Sequence, residues 1–171
     1  AAFAARYGRQ TTGMWMPEMA VDYETLEVLA ENGIGWTVLT DKQVVAKPEG
    51  GGPFWVDLPN GKRIKAFVRD EGLSNDIAFN LGNFGGAGRW AKKVLGPRRE
   101  KAGDLTLIAT DGETFGHHWR GEDLFLHYLL SYEAPSVGYE VITLARYAQI
   151  VEPKDVIEIN EDTAWSSGYG L

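Results

Sequence analysis

Apolar positions in the first quarter of the chain occur in short runs and, between them, at helical spacing. A short, mainly apolar run over 12–16 is followed by Pro17, which has no N–H to donate to a strand ladder, so a strand is expected to finish near Met16. Asp22 is a favourable N-cap, and the apolar residues after it recur at helical spacing as far as Gly33. A second apolar run over 34–39 predicts the next strand. The order strand, helix, strand with short connections predicts a βαβ unit and a parallel sheet.

A β-hairpin is predicted in the next part of the chain. Short runs over 54–58 and 63–68 flank Asn60-Gly61, a dipeptide that favours tight hairpin turns because both residues tolerate positive φ. We expect the hairpin to be an insertion outside the parallel core. The fold class is therefore α/β, with parallel strands, helices and an inserted hairpin near 54–68.

The remaining patterns predict, in order, a helix capped by Ser74 or Asn75 and ending at Phe79, a helix over 89–95 that ends at Gly96-Pro97, a strand over 104–110, helices over 121–131 and 137–150, and a strand over 156–159.

Composition and charge narrow the class of protein. With 171 residues, 44% of them apolar, the chain is long enough to bury a sizeable core, and one domain is expected. The net charge of −7 is unfavourable for nucleic acid binding, which needs clustered Lys and Arg. There is no cysteine, and no apolar run approaches the roughly 18 residues of a membrane span. We therefore expect no membrane partner and a cytoplasmic location, whereas the oligomeric state is not indicated.

Two carboxylates lie directly beyond predicted strands. Glu18 lies just beyond the strand expected to finish near Met16, and Asp111 follows the strand over 104–110. Because the carboxyl ends of parallel strands share one edge of a sheet, the two side chains are able to converge. Glycoside cleavage needs such a pair, one carboxylate to attack or stabilise the anomeric carbon and one acid to protonate the leaving oxygen. A carboxyl separation of about 5–5.5 Å predicts retention of configuration, and about 6.5–9.5 Å predicts inversion.

Polar and aromatic groups adjoin the two carboxylates in the sequence. Glu113 is placed to hold sugar hydroxyls, and Trp15 and Trp119 offer aromatic faces of the kind that stack on sugar rings. Either tryptophan could instead belong to the core. His117 and His118 follow Glu113 closely, and we count them as candidates for lining the same cleft.

Other interpretations of these residues stay open. Glu18 could be a first-turn helix acid and Asp111 a loop or N-cap residue, with no catalytic role. Alternatively, Asp111, Glu113, His117 and His118 could bind a divalent metal, although adjacent histidines point apart in regular structure and no His-x-x-x-His spacing occurs. A serine triad and a nucleotide site are poorly supported, because the chain has neither a Gly-x-Ser-x-Gly elbow nor a Gly-x-Gly-x-x-Gly turn between a strand and a helix.

Two stretches of the chain resemble conserved regions of glycoside hydrolase family 57. They run over 13–22 (GMWMPEMAVD) and 110–118 (TDGETFGHH), and the likeness extends over most of the chain. The resemblance implies an incomplete (β/α)7 barrel and a retaining mechanism on α-glucans, with no metal or organic cofactor. It makes Glu18 the nucleophile and Asp111 the general acid/base, and it places Glu113 in the substrate site.

The resemblance also implies that the chain is part of a larger domain. Residues 163–167 look like the start of a further region of a less characterised bacterial branch of the family, which the chain resembles most, whereas the family's opening His-x-His-x-Pro strand and its late acid-bearing region are absent. The chain also begins without Met. We therefore expect residues 1–171 to form a single partial catalytic barrel domain that lacks its N-terminal and C-terminal parts. Whether such a piece turns over substrate by itself is left open.

The leading hypothesis is a glycoside hydrolase or transglycosylase that uses α-glucan oligosaccharides or polysaccharides. Glu18 and Asp111 are its expected catalytic residues. Substrate would be bound by Glu113, Trp15, His117, His118 and Trp119. The alternatives are a non-catalytic carbohydrate-binding relative that keeps the fold, and a metal-dependent deacetylase or hydrolase that uses Asp111, His117 and His118.

Overall fold

The computed structural model describes residues 2–100 and 104–166, which divide into two compact units. The first, the sheet unit, takes in the described residues of Ala1–Pro48, Gly52–Val68 and Thr143–Leu171, and the second, the helical unit, takes in those of Glu49–Gly51 and Arg69–Ile142. That residues 1–171 form one partial catalytic domain stays a prediction. Residues 1, 101–103 and 167–171 of that predicted domain lie outside the described ones.

The sheet unit is built on a four-stranded sheet. Its strands are β1 (Gly13–Met14), β2 (Trp36–Leu39), β3 (Phe54–Asp57) and β4 (Arg63–Val68), in the spatial order β1-β2-β4-β3. β1 pairs with β2 and β2 pairs with β4 in parallel, whereas β3 and β4 form an antiparallel hairpin. A mostly parallel sheet accompanied by helices confirms the predicted α/β class.

The predicted hairpin is present, but it is not an insertion outside the parallel core. β4 lies between β2 and β3, and its Lys65 to Val68 stand in register with all four residues of β2. Residues 66–68 are buried in succession, which is typical of a parallel strand covered on both faces. The Asn-Gly turn predicts the hairpin from local chemistry, whereas the partner on the other side of β4 is set by residues far away in the chain.

The predicted βαβ unit is confirmed. After a short helix α1 (Ala2–Tyr7), helix α2 (Tyr23–Glu31) connects β1 to β2. The carboxylate of Asp22 caps α2 by accepting a hydrogen bond from the backbone N–H of Thr25 at 2.6 Å. Just beyond the helix, Gly33 has a φ of 79°, which glycine adopts without a steric penalty.

Apolar side chains from the sheet, from α2 and from later loops form the core of the sheet unit. Burying a large apolar side chain contributes roughly 1.5–3 kcal/mol, so this core is the main source of the unit's stability. Its buried members are Met16, Val21, Leu26, Leu29, Ile34, Leu39, Val44, Phe54, Val56, Leu58, Ile64, Ala66, Val68 and Ile159.

The helical unit begins with helix α3 (Glu71–Asn80). Its N-cap is Asp70, whose carboxylate accepts a hydrogen bond from the N–H of Leu73 at 2.9 Å. The prediction of a cap at Ser74 or Asn75 is therefore wrong. Ser74 is buried within the helix, and its hydroxyl accepts a hydrogen bond from the backbone N–H of Ala109 at 3.1 Å.

Two further helical segments, α4 over 87–98 and α5 over 123–136, each contain a π turn. The π turns are Ala91–Leu95 and Leu129–Glu133, and each is followed two residues later by a proline, Pro97 or Pro135. A proline has no N–H to donate to the ladder, and a wider turn with i→i−5 bonds directly before it carries the helix past that position. The helix expected to end at Gly96-Pro97 consequently continues to Arg98. None of the helices in the described part of the chain is both long and apolar enough to cross a membrane.

Two predicted strands are absent from the structure. Over 104–110 the carbonyls of Leu105 and Leu107 accept hydrogen bonds from the N–H groups of Gly51 and Asp70, at 2.9 and 2.8 Å, and no ladder forms. The apolar pattern is that of a strand, but its hydrogen-bond donors come from separate segments and not from one neighbouring strand. Residues 156–159 likewise make only isolated bridges.

The predicted helix over 137–150 is much shorter in the structure. Only Leu144–Ile150 is helical, and we label it α6. Thr143 caps α6, because its side-chain oxygen accepts a hydrogen bond from the N–H of Arg146 at 3.3 Å. Gly138, at a φ of 91°, lies in the segment that separates α6 from α5.

Candidate functional site

Glu18 lies in a tight turn with an uncommon backbone conformation. The turn is the single 3₁₀ turn Pro17–Met19, which follows β1 closely. Glu18 has a φ of 53° and Met19 a φ of 49°, in the left-handed region that non-glycine residues seldom adopt. Such residues cost of order 1–3 kcal/mol each and persist where the surrounding structure enforces them, as at active sites. The turn is therefore a candidate functional element on conformational grounds.

The carboxylate of Glu18 is held by two side chains from near the end of the described chain. The indole N–H of Trp165 and the hydroxyl of Ser166 both donate to Oε2 of Glu18, at 3.1 and 3.0 Å. The backbone N–H of Trp165 also donates to the carbonyl of Glu18 at 3.0 Å. Glu18 is exposed, so its carboxylate faces solvent while it is oriented by fixed donors.

A buried glutamine ties the turn to the segment that carries Trp165. Gln43 has no exposed surface, and its amide donates to the carbonyls of Met19 and Thr163 at 2.7 and 3.2 Å. Its side-chain oxygen accepts from the N–H of Thr40 at 3.1 Å. The N–H of Val21 donates to the carbonyl of Thr163 at 2.9 Å, which adds a second connection. These bonds fix the position from which the neighbouring Trp165 reaches Glu18.

Trp15 lies beside this group of residues. Its side chain is 38% exposed, and its ring meets that of Trp165 edge-on, with 5.4 Å between centroids and 85° between planes. Edge-to-face pairs of this kind are favourable and hold both rings in place. The exposed part of the side chain is accessible to a ligand, and the substrate-binding role of Trp15 stays a prediction.

The second predicted carboxylate, Asp111, opens the 3₁₀ turn Gly112–Thr114 in the helical unit. Its backbone carbonyl accepts from the N–H of Thr114 at 3.2 Å, but its side chain makes no capping hydrogen bond. Asp111 is exposed. The interpretation of Asp111 as a residue that caps a helix with its side chain is therefore not supported, and its carboxylate is accessible to solvent.

Glu113 and the two histidines form the loop after Asp111. The carbonyl of Glu113 accepts from the N–H groups of His117 and His118, each at 3.1 Å. The two imidazole rings lie edge-on, with 5.1 Å between centroids, and all three side chains are exposed. In residues 2–100 and 104–166, no three His, Cys, Asp or Glu side chains group as metal ligands would.

Trp119 is anchored within the helical unit. Its indole N–H donates to the carbonyl of Ala78 at 2.9 Å, and its half-buried ring packs against that unit's core. The backbone N–H of Trp119 donates to Thr114 at 3.0 Å, which closes the loop that follows Asp111. Much of this indole therefore serves packing, and its part in sugar binding stays a prediction.

The predicted site residues fall into two sets, one in each unit. Glu18 and Trp15 belong to the sheet unit, and Asp111, Glu113, His117, His118 and Trp119 belong to the helical unit. Within the sheet unit the structure adds Trp165, Ser166 and Gln43, which were not among the predicted site residues. The likeness of residues 163–167 to a family region was the signal that could have found the first two. Ser167, the last residue of that stretch, lies outside the described residues.

The similarity to one known family extends over nearly the whole chain. A family model for glycosyl hydrolase family 57 matches residues 2–160. The chain belongs to glycosyl hydrolase family 57. The resemblance carried by the two sequence motifs is thereby confirmed. No curated protein sequence matches the chain.

Solved structures share the fold of this family 57 chain at low sequence identity. A 4-α-glucanotransferase from Thermococcus litoralis matches with a TM-score of 0.69 and 22% identity, over 96% of this chain and 24% of its own. The α-amylase AmyC from Thermotoga maritima matches with a TM-score of 0.75 and 14% identity, over 96% of this chain and 45% of its own. A branching enzyme from Pyrococcus horikoshii matches with a TM-score of 0.73 and 16% identity, over 95% of this chain and 41% of its own. The chain thus spans less than half the length of each of these proteins.

Proposed function

We propose that this chain supplies catalytic residues of an enzyme that cleaves or transfers α-glucans with retention of configuration. The observation that carries the proposal is the family 57 match over residues 2–160. The structures that share its fold are described as a glucanotransferase, an α-amylase and a branching enzyme, and we extend their substrate class to this chain. The predicted barrel and cytoplasmic location remain predictions.

In the proposed first step, Glu18 attacks the anomeric carbon of an α-glucan. A bond forms between a carboxylate oxygen of Glu18 and that carbon, while the glycosidic bond to the leaving oxygen breaks and Asp111 gives that oxygen its proton. The exposed carboxylate of Glu18, oriented by two donors, suits a nucleophile because it is accessible and already aligned. The product is a glycosyl ester on Glu18.

In the second step, Asp111 acts as a base. It removes the proton from a water molecule or a sugar hydroxyl, which attacks the anomeric carbon and releases Glu18. Water gives hydrolysis, and a sugar hydroxyl gives transfer. Two inversions at one carbon restore the starting α configuration. In both steps the only protein groups that react are the side chains of Glu18 and Asp111.

The test compares two carboxamide variants in the full-length protein that carries this chain. We expect Glu18→Gln and Asp111→Asn each to lower kcat on α-glucan oligosaccharides by about 10³-fold or more while oligosaccharide binding survives. Glu24→Gln and Asp123→Asn, which alter exposed acids in the first turns of α2 and α5, are the matched controls. Near wild-type turnover by either site variant would contradict the assignment.

Added azide separates the two roles. With an activated aryl α-glucoside, Asp111→Asn should regain turnover and give the α-glucosyl azide, because azide needs no base. Glu18→Ala should give the β-glucosyl azide, because azide then attacks the substrate directly. A wild-type protein that binds α-glucan but releases no product would instead support the non-catalytic carbohydrate-binding alternative.

A further inference from the structure

We infer that Trp165 and Ser166 are positioning residues for Glu18, and that they determine which of its two carboxylate oxygens attacks the sugar. The inference rests on the proposed function, in which Glu18 is the nucleophile. It adds two residues to the site and specifies which oxygen of Glu18 attacks in the first step.

Both donors bind the same oxygen. The Trp165 indole and the Ser166 hydroxyl donate to Oε2 of Glu18, and among residues 2–100 and 104–166 no group donates to Oε1. Hydrogen bonds withdraw electron density from the oxygen that accepts them and occupy its lone pairs. Oε2 is therefore the poorer nucleophile, and Oε1 is the atom that bonds to the anomeric carbon.

The same bonds persist through the reaction. When Oε1 forms the ester and the leaving oxygen takes the proton of Asp111, Oε2 becomes the carbonyl oxygen of that ester. A carbonyl oxygen still accepts hydrogen bonds, so Trp165 and Ser166 remain bound to it in the intermediate. When the ester breaks, the carboxylate returns to the same orientation, and no rearrangement is needed between turnovers.

The two donors are themselves held in place. The N–H of Trp165 donates to the carbonyl of Glu18, and the ring of Trp165 meets Trp15 edge-on. Two residues earlier, Thr163 is bound by the buried amide of Gln43 and by Val21. A free glutamate side chain at an exposed position samples several rotamers, whereas these fixed donors select one orientation before substrate arrives.

A positioning role is distinguishable from a structural one because the donors act at the surface. Exposed hydrogen bonds exchange readily with water and add little to stability. Removing them should therefore slow formation of the glycosyl ester far more than it affects folding or oligosaccharide binding.

The experiment measures labelling of the full-length protein by 5-fluoro-α-D-glucosyl fluoride, whose ring fluorine slows hydrolysis of the ester. We expect Trp165→Phe and Ser166→Ala each to slow covalent labelling of Glu18 by about 10-fold. Ser166→Thr, which keeps the hydroxyl, should restore most of the rate. Trp55→Phe and Ser136→Ala are the matched controls and should label at the wild-type rate. Peptide mass spectrometry locates the label, and the dissociation constant of a maltooligosaccharide is measured beside each rate.

The outcomes separate this inference from the proposed function. A wild-type label on a residue other than Glu18 overturns the nucleophile assignment itself. A label on Glu18 that forms at the wild-type rate in both Trp165→Phe and Ser166→Ala overturns only the positioning role. If the labelling rate falls only in proportion to the fraction of folded protein, the two residues are structural and the inference is likewise overturned. A slower rate with unchanged binding and folding supports it.

Discussion

At the scale of the residue, Gln43 explains how Glu18 keeps its unusual conformation. Glu18 and Met19 both have positive φ, and two such residues in succession add up to a cost of a few kcal/mol. The side chain of Met19 is fully buried, and its carbonyl accepts the shortest hydrogen bond from the Gln43 amide, at 2.7 Å. The turn is thus fixed from inside the sheet unit, where a buried polar group must find partners.

Replacing this amide should destabilise the protein and impair the site together. We expect Gln43→Leu to lower the free energy of unfolding by about 2 kcal/mol or more, because it leaves the carbonyl of Met19 and the N–H of Thr40 buried without their partner. Urea denaturation measures the loss. Gln149→Leu, at an exposed position on α6, is the control and should change stability by less than about 0.5 kcal/mol. Equal losses in both variants would show that Gln43 does not hold the turn.

At the scale of the element, features that depend on a few neighbouring residues are predicted more accurately than features that depend on residues far away in the chain. The cap at Asp22 and the turn at Asn60-Gly61 depend on a few adjacent residues, so α2 and the hairpin are predicted correctly. The segment over 104–110 has the composition of a strand, but its carbonyls at Leu105 and Leu107 accept hydrogen bonds from Gly51 and Asp70, which lie in separate segments. A strand needs a partner strand, and no local pattern specifies one.

The cap of α3 offers a test at this scale. Asp70 accepts from the N–H of Leu73 and also pairs with Arg98 at 2.9 Å. Partly exposed ion pairs contribute little, whereas removal of an N-cap costs about 1 kcal/mol, so Asp70→Ala should lower the free energy of unfolding by roughly that amount. Asp70→Asn keeps the capping oxygen and should be nearly neutral.

Urea denaturation of the two variants, beside Asn75→Ala, separates the contributions at the start of α3. Asn75 was a predicted cap, and the structure makes Asp70 the cap instead, so Asn75→Ala should have little effect on stability. A loss in Asp70→Asn as large as that in Asp70→Ala would mean that the ion pair with Arg98, and not the cap, stabilises this end of the helix.

At the scale of the whole molecule, the sequence motifs identify the family and name two carboxylates, but not the groups that orient them. Glu18 is recognised from residues adjacent to it, whereas its partners Trp165 and Ser166 lie 147 and 148 positions later in the chain. That contact depends on Gln43 and Thr163, whose pairing no local pattern reveals. A motif therefore predicts a role for a residue, and the folded structure shows which groups orient its side chain.

The proposed substrate class can be tested by a property of the entire protein. A ligand that binds only the folded state at about 100 times its dissociation constant adds roughly 2.7 kcal/mol of stability. In a full-length protein of several hundred residues, whose entropy of unfolding is larger than that of a short chain, this corresponds to a rise of about 2–5 °C in Tm. We expect a maltooligosaccharide to raise the Tm of the Glu18→Gln variant by this amount, since the variant binds substrate without consuming it. A cello-oligosaccharide of equal length should give no rise, because its β linkages present a different chain shape. Equal stabilisation by the two sugars would contradict selectivity for α-glucans, and no stabilisation by either would contradict glucan binding at the proposed site.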